Sequence, residues 1–322
     1  MLVQLASIIA TVSAVLWTRS SYALLVYPLL SLGVNIILLQ RAGYWGDRFD
    51  VFGPAKVRDF ALDDNGPADL RNMTIVDAKL TCQSFFTPVF ERDIMIFMGQ
   101  LMRPNPSQRA ELIFVRHEGA HWKAHELFNR TVATQSLVFG WVHAYSQQLF
   151  KISALSKHFN AVILAINEVG FHTFNVGETM ALAKRISLKE LRRLFLYHLI
   201  EELEHSYECV YVMRQINPLA RLAWTPLCLI LLVFVNLSFE MFSLILLFQH
   251  NWKAAARCVL THEFVLHFLV FINSITRAMI IVHFVKFPPI DKLEQRHLEY
   301  TRAARELFSL DLTQDHVRTL PA

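Results

Sequence analysis

The amino-acid sequence predicts an all-α protein in which a four-helix bundle is flanked by apolar, membrane-associated helices. Two copies of the pattern Glu-x-x-His lie on strongly helical stretches about 80 residues apart, and single acids interrupt two further apolar helical stretches. Long runs with almost no charge precede and follow this region, in a chain of 322 residues that is 54% hydrophobic. This distribution favours a bundle with membrane segments over one large domain.

The duplicated motif predicts a site for two metal ions. It reads RHEGAHWKAH around Glu118 and His121, and HLIEELEHSYE around Glu202 and His205. In four-helix bundles that bind two metal ions, two helices each supply a Glu and a His three residues apart, and the other two each supply a Glu. A single Glu-x-x-His is more often a surface ion pair, so it is the duplication that favours a metal site.

Two further acids have the expected surroundings, because each is alone in an apolar helical stretch. Glu91 lies in FFTPVFERDIMIFMGQLM and Glu168 in NAVILAINEVGFHTFN, and Pro88 is interpreted as the start of the first of these helices. Four buried carboxylates are costly unless about four positive charges compensate them, which two divalent ions supply. The predicted ligands are Glu91, Glu118, His121, Glu168, Glu202 and His205.

Other polar residues lie on the same helix faces. His125 follows Glu118 by seven residues and His198 precedes Glu202 by four, and both spacings return to one face of a helix. These two histidines are either additional ligands or hydrogen-bond donors that orient the carboxylates. Glu201 and Glu204 are ambiguous: one is an alternative ligand and the other a solvated neighbour, and Glu201 is the candidate for an additional ligand or for a residue that orients one. Glu202 is preferred for its three-residue spacing to the next histidine. No catalytic residue is assigned.

These segments resemble a known family, the bacterial ferritin-like proteins called predicted metal-dependent hydrolases. The resemblance is carried by FTPVFERDI, IFVRHEGAHWKAHELFN, LAINEVGFHTF and YHLIEELEH, and it covers roughly residues 75 to 285. It implies a ferritin-like four-helix bundle with a dinuclear metal-carboxylate centre. Two features depart from the family pattern: no aromatic pair follows Glu168, and the ending Phe-His-Pro-Trp appears only as Phe287-Pro288-Pro289.

The division of the chain follows from its apolar runs. Residues 222–249 are apolar over a length that can cross a bilayer of roughly 30 Å, whereas residues 259–285 carry too many polar side chains to face lipid. The second run is therefore predicted to lie against the bundle or in the membrane interface; alternatively, both runs are buried helices of a soluble protein. The predicted regions are 1–39, an apolar helical hairpin that anchors the chain; 40–79, a linker; 80–217, the bundle; 222–285, apolar membrane-associated helices; and 291–322, an amphipathic C-terminal helix and tail.

Charge and cysteine usage predict the compartment. The net charge is +4, and no basic run is interleaved with aromatic residues, which argues against a nucleic-acid partner. Basic residues such as Arg41 and Arg48 after the first apolar pair, and Arg214 and Arg221 before the third apolar run, predict an inner-membrane protein whose metal domain faces the cytoplasm. The four cysteines form no Cys-x-x-Cys, which agrees with a reducing compartment.

Three functions fit this sequence. The preferred one is a membrane-associated di-iron enzyme that uses O₂ to oxidise a hydrophobic or lipid-like small molecule, with the lipid bilayer and an electron donor as partners. The second is a hydrolase in which a hydroxide bridges two metal ions, for which zinc or manganese would serve. The third is a ferritin-like protein that binds iron without a substrate. A carboxylate-rich ligand set with one histidine per metal favours iron and the first function.

Overall fold

The computed structural model describes residues 56–58, 60–63, 66–102, 108–154, 156–172, 176–214, 218–261, 263–284, 290–310 and 317–319. Within these ranges the all-α prediction is confirmed, apart from a two-stranded antiparallel ribbon in which Val57 pairs with Arg318. The predicted hairpin of residues 1–39 lies outside the described residues. The helices are α1 (Ile75–Met102), α2 (Gln108–Val132), α3 (Leu137–Ser153), α4 (Lys157–His172), α5 (Val176–Arg185), α6 (Lys189–Arg214), α7 (Pro218–His250), α8 (Trp252–Leu260), α9 (Glu263–Phe284) and α10 (Ile290–Phe308); the strands are β1 (Lys56–Arg58) and β2 (Val317–Thr319), and short 3-10 turns lie at Leu70–Asn72 and Ala133–Gln135.

The four helices that carry the predicted ligands pack against one another. α1 lies against α2, α4 against α6, and α6 also contacts both α1 and α2. Their apolar residues recur at helical spacing, so each helix buries a face: Ile94, Phe128, Leu164 and Leu194 are all at most 2% exposed. The polar ligand candidates therefore lie inside an apolar core rather than on its rim.

The first bundle helix begins earlier than Pro88, so the interpretation of that proline as a helix start is wrong. α1 starts at Ile75 and runs through Pro88. Its start is a capping box: the N–H of Thr74 donates to Asp77 Oδ2 at 2.7 Å, and the N–H of Asp77 donates to Thr74 Oγ1 at 3.1 Å. Asp77 also accepts the N–H of Ser187 at 2.8 Å, which fixes α1 to the turn before α6. The Thr-x-x-Asp pattern was the sequence signal for this start.

The apolar helix α7 lies beside the bundle. The segment Leu219–His250 is, by length and composition, long and apolar enough to cross a membrane, and it is the one such helix in the described part of the chain. α7 contacts α1, α3, α4 and α9. Its polar residues Asn236, Glu240 and Ser243 are buried, and Glu240 forms an ion pair with Lys79 of α1. The side of α7 that faces the bundle is thus its more polar side.

Candidate metal centre

Four buried side chains from three helices meet in the core of the bundle. They are Glu91 of α1, His121 of α2, and His198 and Glu202 of α6, and one potential ligand atom from each lies within 4.8 Å of all the others. Each is at most 7% exposed. Carboxylate oxygens and imidazole nitrogens are the donors that iron, manganese and zinc prefer. The predicted ligands Glu91, His121 and Glu202 are therefore brought together, and His198 joins them.

One nitrogen of His121 faces the carboxylates. Its Nδ1 lies 3.5 Å from Glu118 Oε2, 3.5 Å from Glu202 Oε1 and 3.8 Å from Glu91 Oε1. An atom that is nearly equidistant from three carboxylates has the position of a ligand to a cation held among them. The Glu-x-x-His motif of α2 therefore directs both of its polar side chains into the same space.

The other nitrogen of His121 is held from behind by a carboxylate. Its Nε2 lies 3.4 Å from Glu201 Oε2, and Tyr197 donates its hydroxyl hydrogen to the same oxygen at 3.3 Å. A metal-bound histidine whose second ring nitrogen faces a carboxylate has its ring orientation and tautomer fixed. Glu201 is buried, so it is not a solvated neighbour. It lies outside the four-residue group, and its place behind the ring is that of a residue that would orient His121.

His198 is held in place by a different partner. Its Nε2 lies 3.0 Å from Glu202 Oε1 and 3.9 Å from Glu91 Oε1, while its Nδ1 is hydrogen-bonded to His125 Nε2 at 2.8 Å. Its ring stacks on His121 with the ring centroids 4.3 Å apart. Of the two roles considered for His125, the geometry supports orientation, because its Nε2 is engaged by another histidine. His198 instead presents a nitrogen to the carboxylates.

The hydrogen-bonded chain behind His198 continues into α1 and uses Pro88. His125 Nδ1 is bonded to Ser84 Oγ at 2.9 Å, and Ser84 donates its hydroxyl hydrogen to Asn129 Oδ1 at 2.8 Å. Asn129 Nδ2 in turn donates to the Ser84 carbonyl at 2.8 Å. Inside a helix this carbonyl would accept the N–H of residue 88, which a proline does not have. Pro88 therefore leaves the Ser84 carbonyl free to accept the hydrogen bond from Asn129 that joins α1 to α2 beside His125.

Glu118 and Glu168 complete a group of four buried carboxyls. Both are at most 1% exposed. Burial raises the pKa of Glu91, and the nearby carboxyls of Glu118, Glu168 and Glu202 raise it further. Burial likewise raises the pKa of Glu168, followed by the charges of Glu202 and Glu118. All four predicted carboxyls are thus near enough to affect one another, and a bound cation would offset their repulsion.

The histidines of the centre differ in their affinity for protons. Burial alone would lower the pKa of His121, but the carboxylates of Glu118, Glu201 and Glu202 outweigh it and raise that pKa to about 10. Burial lowers the pKa of His198, and the charge of His121 lowers it further. Burial also lowers the pKa of His125, and His198 and His121 add to that effect. The neighbouring carboxylates thus favour the protonated form of His121, whereas burial favours the neutral forms of His125 and His198.

Buried polar atoms in the centre fit a metal ion. Glu91 Oε2 and Glu168 Oε2 accept no hydrogen bond from an N–H group or an alcohol hydroxyl of the described residues. The ion pairs described for Glu91, Glu118 and Glu202 run to histidines. Unpaired buried carboxylate oxygens are costly, and metal coordination is a usual way in which buried charges are compensated.

Sequence reasoning missed three residues that position the centre: Tyr197, Ser84 and Asn129. Tyr197 precedes Glu201 by four residues and Asn129 follows His125 by four, so both share a helix face with a residue that the sequence analysis names. That spacing could have identified them. The predicted ligand His205 lies on α6, but its side chain is outside the described residues, so it stays a prediction.

A cavity of about 120 Å³ adjoins the centre. Glu91, Glu168 and His198 form part of its wall, and the rest comes from α1, α3, α4 and α7 together with Phe271 of α9. Phenylalanine and leucine side chains such as Phe90 and Leu164 make most of this wall apolar. The centre is thus accessible from a space that suits a hydrophobic molecule.

Comparisons of the chain with protein-family models, with curated proteins and with solved structures found no match.

Proposed function

We propose that the protein is a membrane-associated enzyme with a dinuclear metal centre, in which two iron ions support the O₂-dependent oxidation of a hydrophobic molecule. The observation that carries this proposal is the buried group of Glu91, His121, His198 and Glu202. The resemblance of the sequence to the ferritin-like predicted metal-dependent hydrolases agrees with a centre of this kind.

The number of carboxylates favours two ions over one. Glu91, Glu118, Glu168 and Glu202 would together bring a charge of about −4 into an apolar core, where an uncompensated ion costs several kcal/mol. Two divalent ions make this ligand set neutral, whereas one ion would leave about two charges uncompensated. Glu91, Glu202, His121 and His198 would hold the ions, with Glu118 and Glu168 as the remaining carboxylate ligands.

Reduced iron held in such a centre supplies the electrons for O₂ chemistry, and the chain supplies geometry and surroundings. Glu201 and His125 fix the rings of His121 and His198, so that one nitrogen of each faces the carboxylates. The apolar wall of the adjoining cavity excludes water and admits a hydrophobic substrate beside Glu91 and Glu168. An electron donor is required for repeated turnover.

The exposed side of α7 supports attachment to a bilayer. Its outward residues form one apolar stripe that extends for about 43 Å at the helical rise of about 1.5 Å per residue. The polar residues Asn236, Glu240 and Ser243 point the other way and are buried. A helix that faces water has its polar side outward, whereas α7 has its apolar side outward, which fits contact with lipid. The stripe consists of Leu219, Leu227, Ile230, Phe234, Leu237, Met241 and Phe248, which are between 46% and 76% exposed.

Metal exchange followed by oxygen measurement tests the proposed reaction. The iron-loaded protein, reduced under anaerobic conditions, is expected to consume O₂ when oxygen is admitted, whereas the same protein loaded with zinc is expected to consume none. The hydrolase reading predicts the opposite: zinc or manganese supports turnover of an ester or amide without oxygen. Hydrolysis by the zinc-loaded protein under anaerobic conditions would overturn the proposal.

Membrane fractionation tests the proposed attachment. The full-length protein is expected to remain with membranes after a high-salt wash and to require detergent for release. The double variant Phe234→Lys/Met241→Lys should attach more weakly, because each charge would enter the lipid. The variant Gln295→Lys/Glu299→Lys, which adds positive charge on the exposed polar face of α10, should behave like the wild type. Wild-type protein in the salt-washed soluble fraction would contradict the attachment.

A further inference from the structure

The cavity beside the metal centre contains amide groups without partners. Asn236 of α7 and Asn160 of α4 line it, and both are 1% exposed. Neither Nδ2 nor Oδ1 of Asn236, nor Nδ2 of Asn160, has a hydrogen-bond partner among the described residues. Burying an amide without a partner is costly, so groups of this kind are unusual unless they bind something.

The charges in the cavity wall are negative. The wall contains the carboxyls of Glu91, Asp93 and Glu168 and the imidazole of His198, and no lysine or arginine of the described residues lines it. Asp93 is 3% exposed and is not among the predicted metal ligands. Asp93 is paired with Arg92 at 3.9 Å, and the side chain of Arg92 does not line this cavity. A carboxylate buried here would therefore lack a cationic side chain to compensate it. The ligand that fits is uncharged.

A second cavity adjoins the first. It has a volume of about 200 Å³, and four residues, Gln83, Asn167, Leu232 and Phe271, line both cavities. A cavity of about 150 Å³ holds a ligand the size of benzene, so the two spaces together hold roughly a dozen heavy atoms. The wall of the second cavity is also mainly apolar, which suits a hydrocarbon chain.

We infer that the two cavities bind an uncharged, single-chain amphiphile of roughly ten carbons, whose hydroxyl or carbonyl group is held by Asn236 and Asn160. Its polar group lies beside the metal centre and its chain extends past Leu232 into the second cavity. Asn236 offers both a donor and an acceptor, and therefore matches a hydroxyl group, which can accept and donate, better than a carboxylate, which can only accept. The role of this ligand as a substrate rests on the proposed function, but its binding can be measured without turnover.

Calorimetry with two probes of equal chain length tests the inference. Full-length, metal-loaded protein in lipid nanodiscs is titrated at pH 8 with 1-decanol and with sodium decanoate, and empty nanodiscs correct for partition into lipid. Decanol is expected to bind at least tenfold more tightly than decanoate, because the wall of the first cavity offers amides and acids, and Lys79 in the wall of the second cavity is already paired with Glu240. Equal or tighter binding of decanoate would overturn the inference, as would the absence of decanol binding, since the cavity would then hold only water.

The variant Asn236→Leu distinguishes a binding role from a structural one. It is expected to weaken decanol binding about tenfold while raising the melting temperature of the ligand-free protein, because it removes an unsatisfied buried amide. A lower melting temperature with unchanged decanol affinity would overturn the assignment of Asn236. Asn160→Leu gives a second test if the first variant does not fold. The control Leu298→Ala, at an exposed position of α10, should change neither quantity substantially.

Chain length gives a further readout. Leu232→Phe, at the junction of the two cavities, is expected to weaken decanol binding while 1-butanol binding is kept. Equal effects on both alcohols would contradict a chain that passes this residue. A protein that binds decanol but consumes no O₂ would support this inference and overturn the proposed reaction, whereas O₂ uptake without a preference for decanol would overturn this inference alone.

Discussion

The two histidines of the centre face the same carboxylates but differ in what holds them. His121 has a carboxylate behind its ring, Glu201, whereas His198 has a second imidazole, His125. The pKa of His121 is accordingly raised to about 10 and that of His198 is lowered, although their rings stack on each other. Two ligands of one chemical type can therefore be made unequal by the residue behind each ring.

The two histidines also differ in their sequence position relative to the glutamate on the same helix. On α2 the histidine that joins the centre follows its glutamate by three residues, as the motif predicts, whereas on α6 His198 precedes Glu202 by four. Both spacings place the two side chains on one helix face. The group thus contains a histidine of α6 that the motif does not name, while the side chain of the motif histidine His205 lies outside the described residues.

Removing a shared ligand should have the largest effect. Glu202→Ala and His121→Ala are each expected to reduce bound metal to one ion per chain or fewer, since Glu202 lies within 3.5 Å of nitrogens from both histidines. Elemental analysis of anaerobically purified protein measures this loss. His143→Ala, at an exposed position of α3, should keep the wild-type metal content. Full metal content in both ligand variants would remove the site assignment.

Changing what lies behind each ring should have a smaller effect. Glu201→Gln and His125→Leu are each expected to lower metal affinity by roughly 10- to 100-fold, the usual consequence of losing an orienting partner. Competition with a metal chelator measures the affinity. If either residue were a direct ligand, its substitution would instead abolish one ion from the stoichiometry. An affinity equal to the wild type would show that the partner does not orient its histidine.

The pKa shifts predict how metal and protons compete. In the metal-free protein the pKa values of Glu91 and Glu168 are raised. Above pH 4.5, the ordinary pKa of glutamate, the unfolded chain therefore releases two protons that the folded chain keeps. His121 acts in the same direction between 6.5 and about 10, whereas the lowered pKa values of His125 and His198 reduce stability only below 6.5. Stability of the metal-free protein should therefore fall as pH rises above 6.5.

Calorimetric melting of metal-free and metal-loaded protein between pH 6.5 and 9 checks this expectation. Metal binding displaces the retained protons, so metal affinity and the gap between the two melting temperatures should both increase with pH. A metal-free protein that became more stable over this range would contradict the assigned shifts.

The smallest expected effect concerns Pro88. Asn129→Leu removes the donor to the Ser84 carbonyl and should cost about 1–3 kcal/mol, because that buried acceptor loses its partner. In a Pro88→Ala background the new N–H of residue 88 can satisfy the carbonyl, so the same substitution should cost less. Urea unfolding of the four proteins in a double-mutant cycle measures the coupling, expected to be about 1 kcal/mol. Additive effects would show that the missing N–H has no part in this contact.

Much of this centre could be predicted from the sequence because a buried acid can be recognised from its apolar neighbours in the chain. Glu91 and Glu168 stand alone in apolar stretches, and an isolated acid on a buried helix face requires a partner. Pro88 was misread because its local preference for a helix start says nothing about Asn129, which donates to the Ser84 carbonyl that Pro88 leaves free and is 45 residues from Ser84 in the chain. Which nitrogen of His125 or His198 is engaged depends on how the helices approach one another, and residue spacing carries no information on that.

Anaerobic titration of the metal-free, full-length protein with Fe(II) tests the dinuclear centre most directly, with His198→Ala and His205→Ala measured in parallel. We expect two ions per chain in the wild type and a loss of one ion in His198→Ala, since His198 lies in the four-residue group. The His205→Ala variant tests the ligand that the sequence motif predicts. A wild-type protein that bound fewer than one ion per chain, or a His198→Ala variant that still bound two with unchanged affinity, would contradict the account.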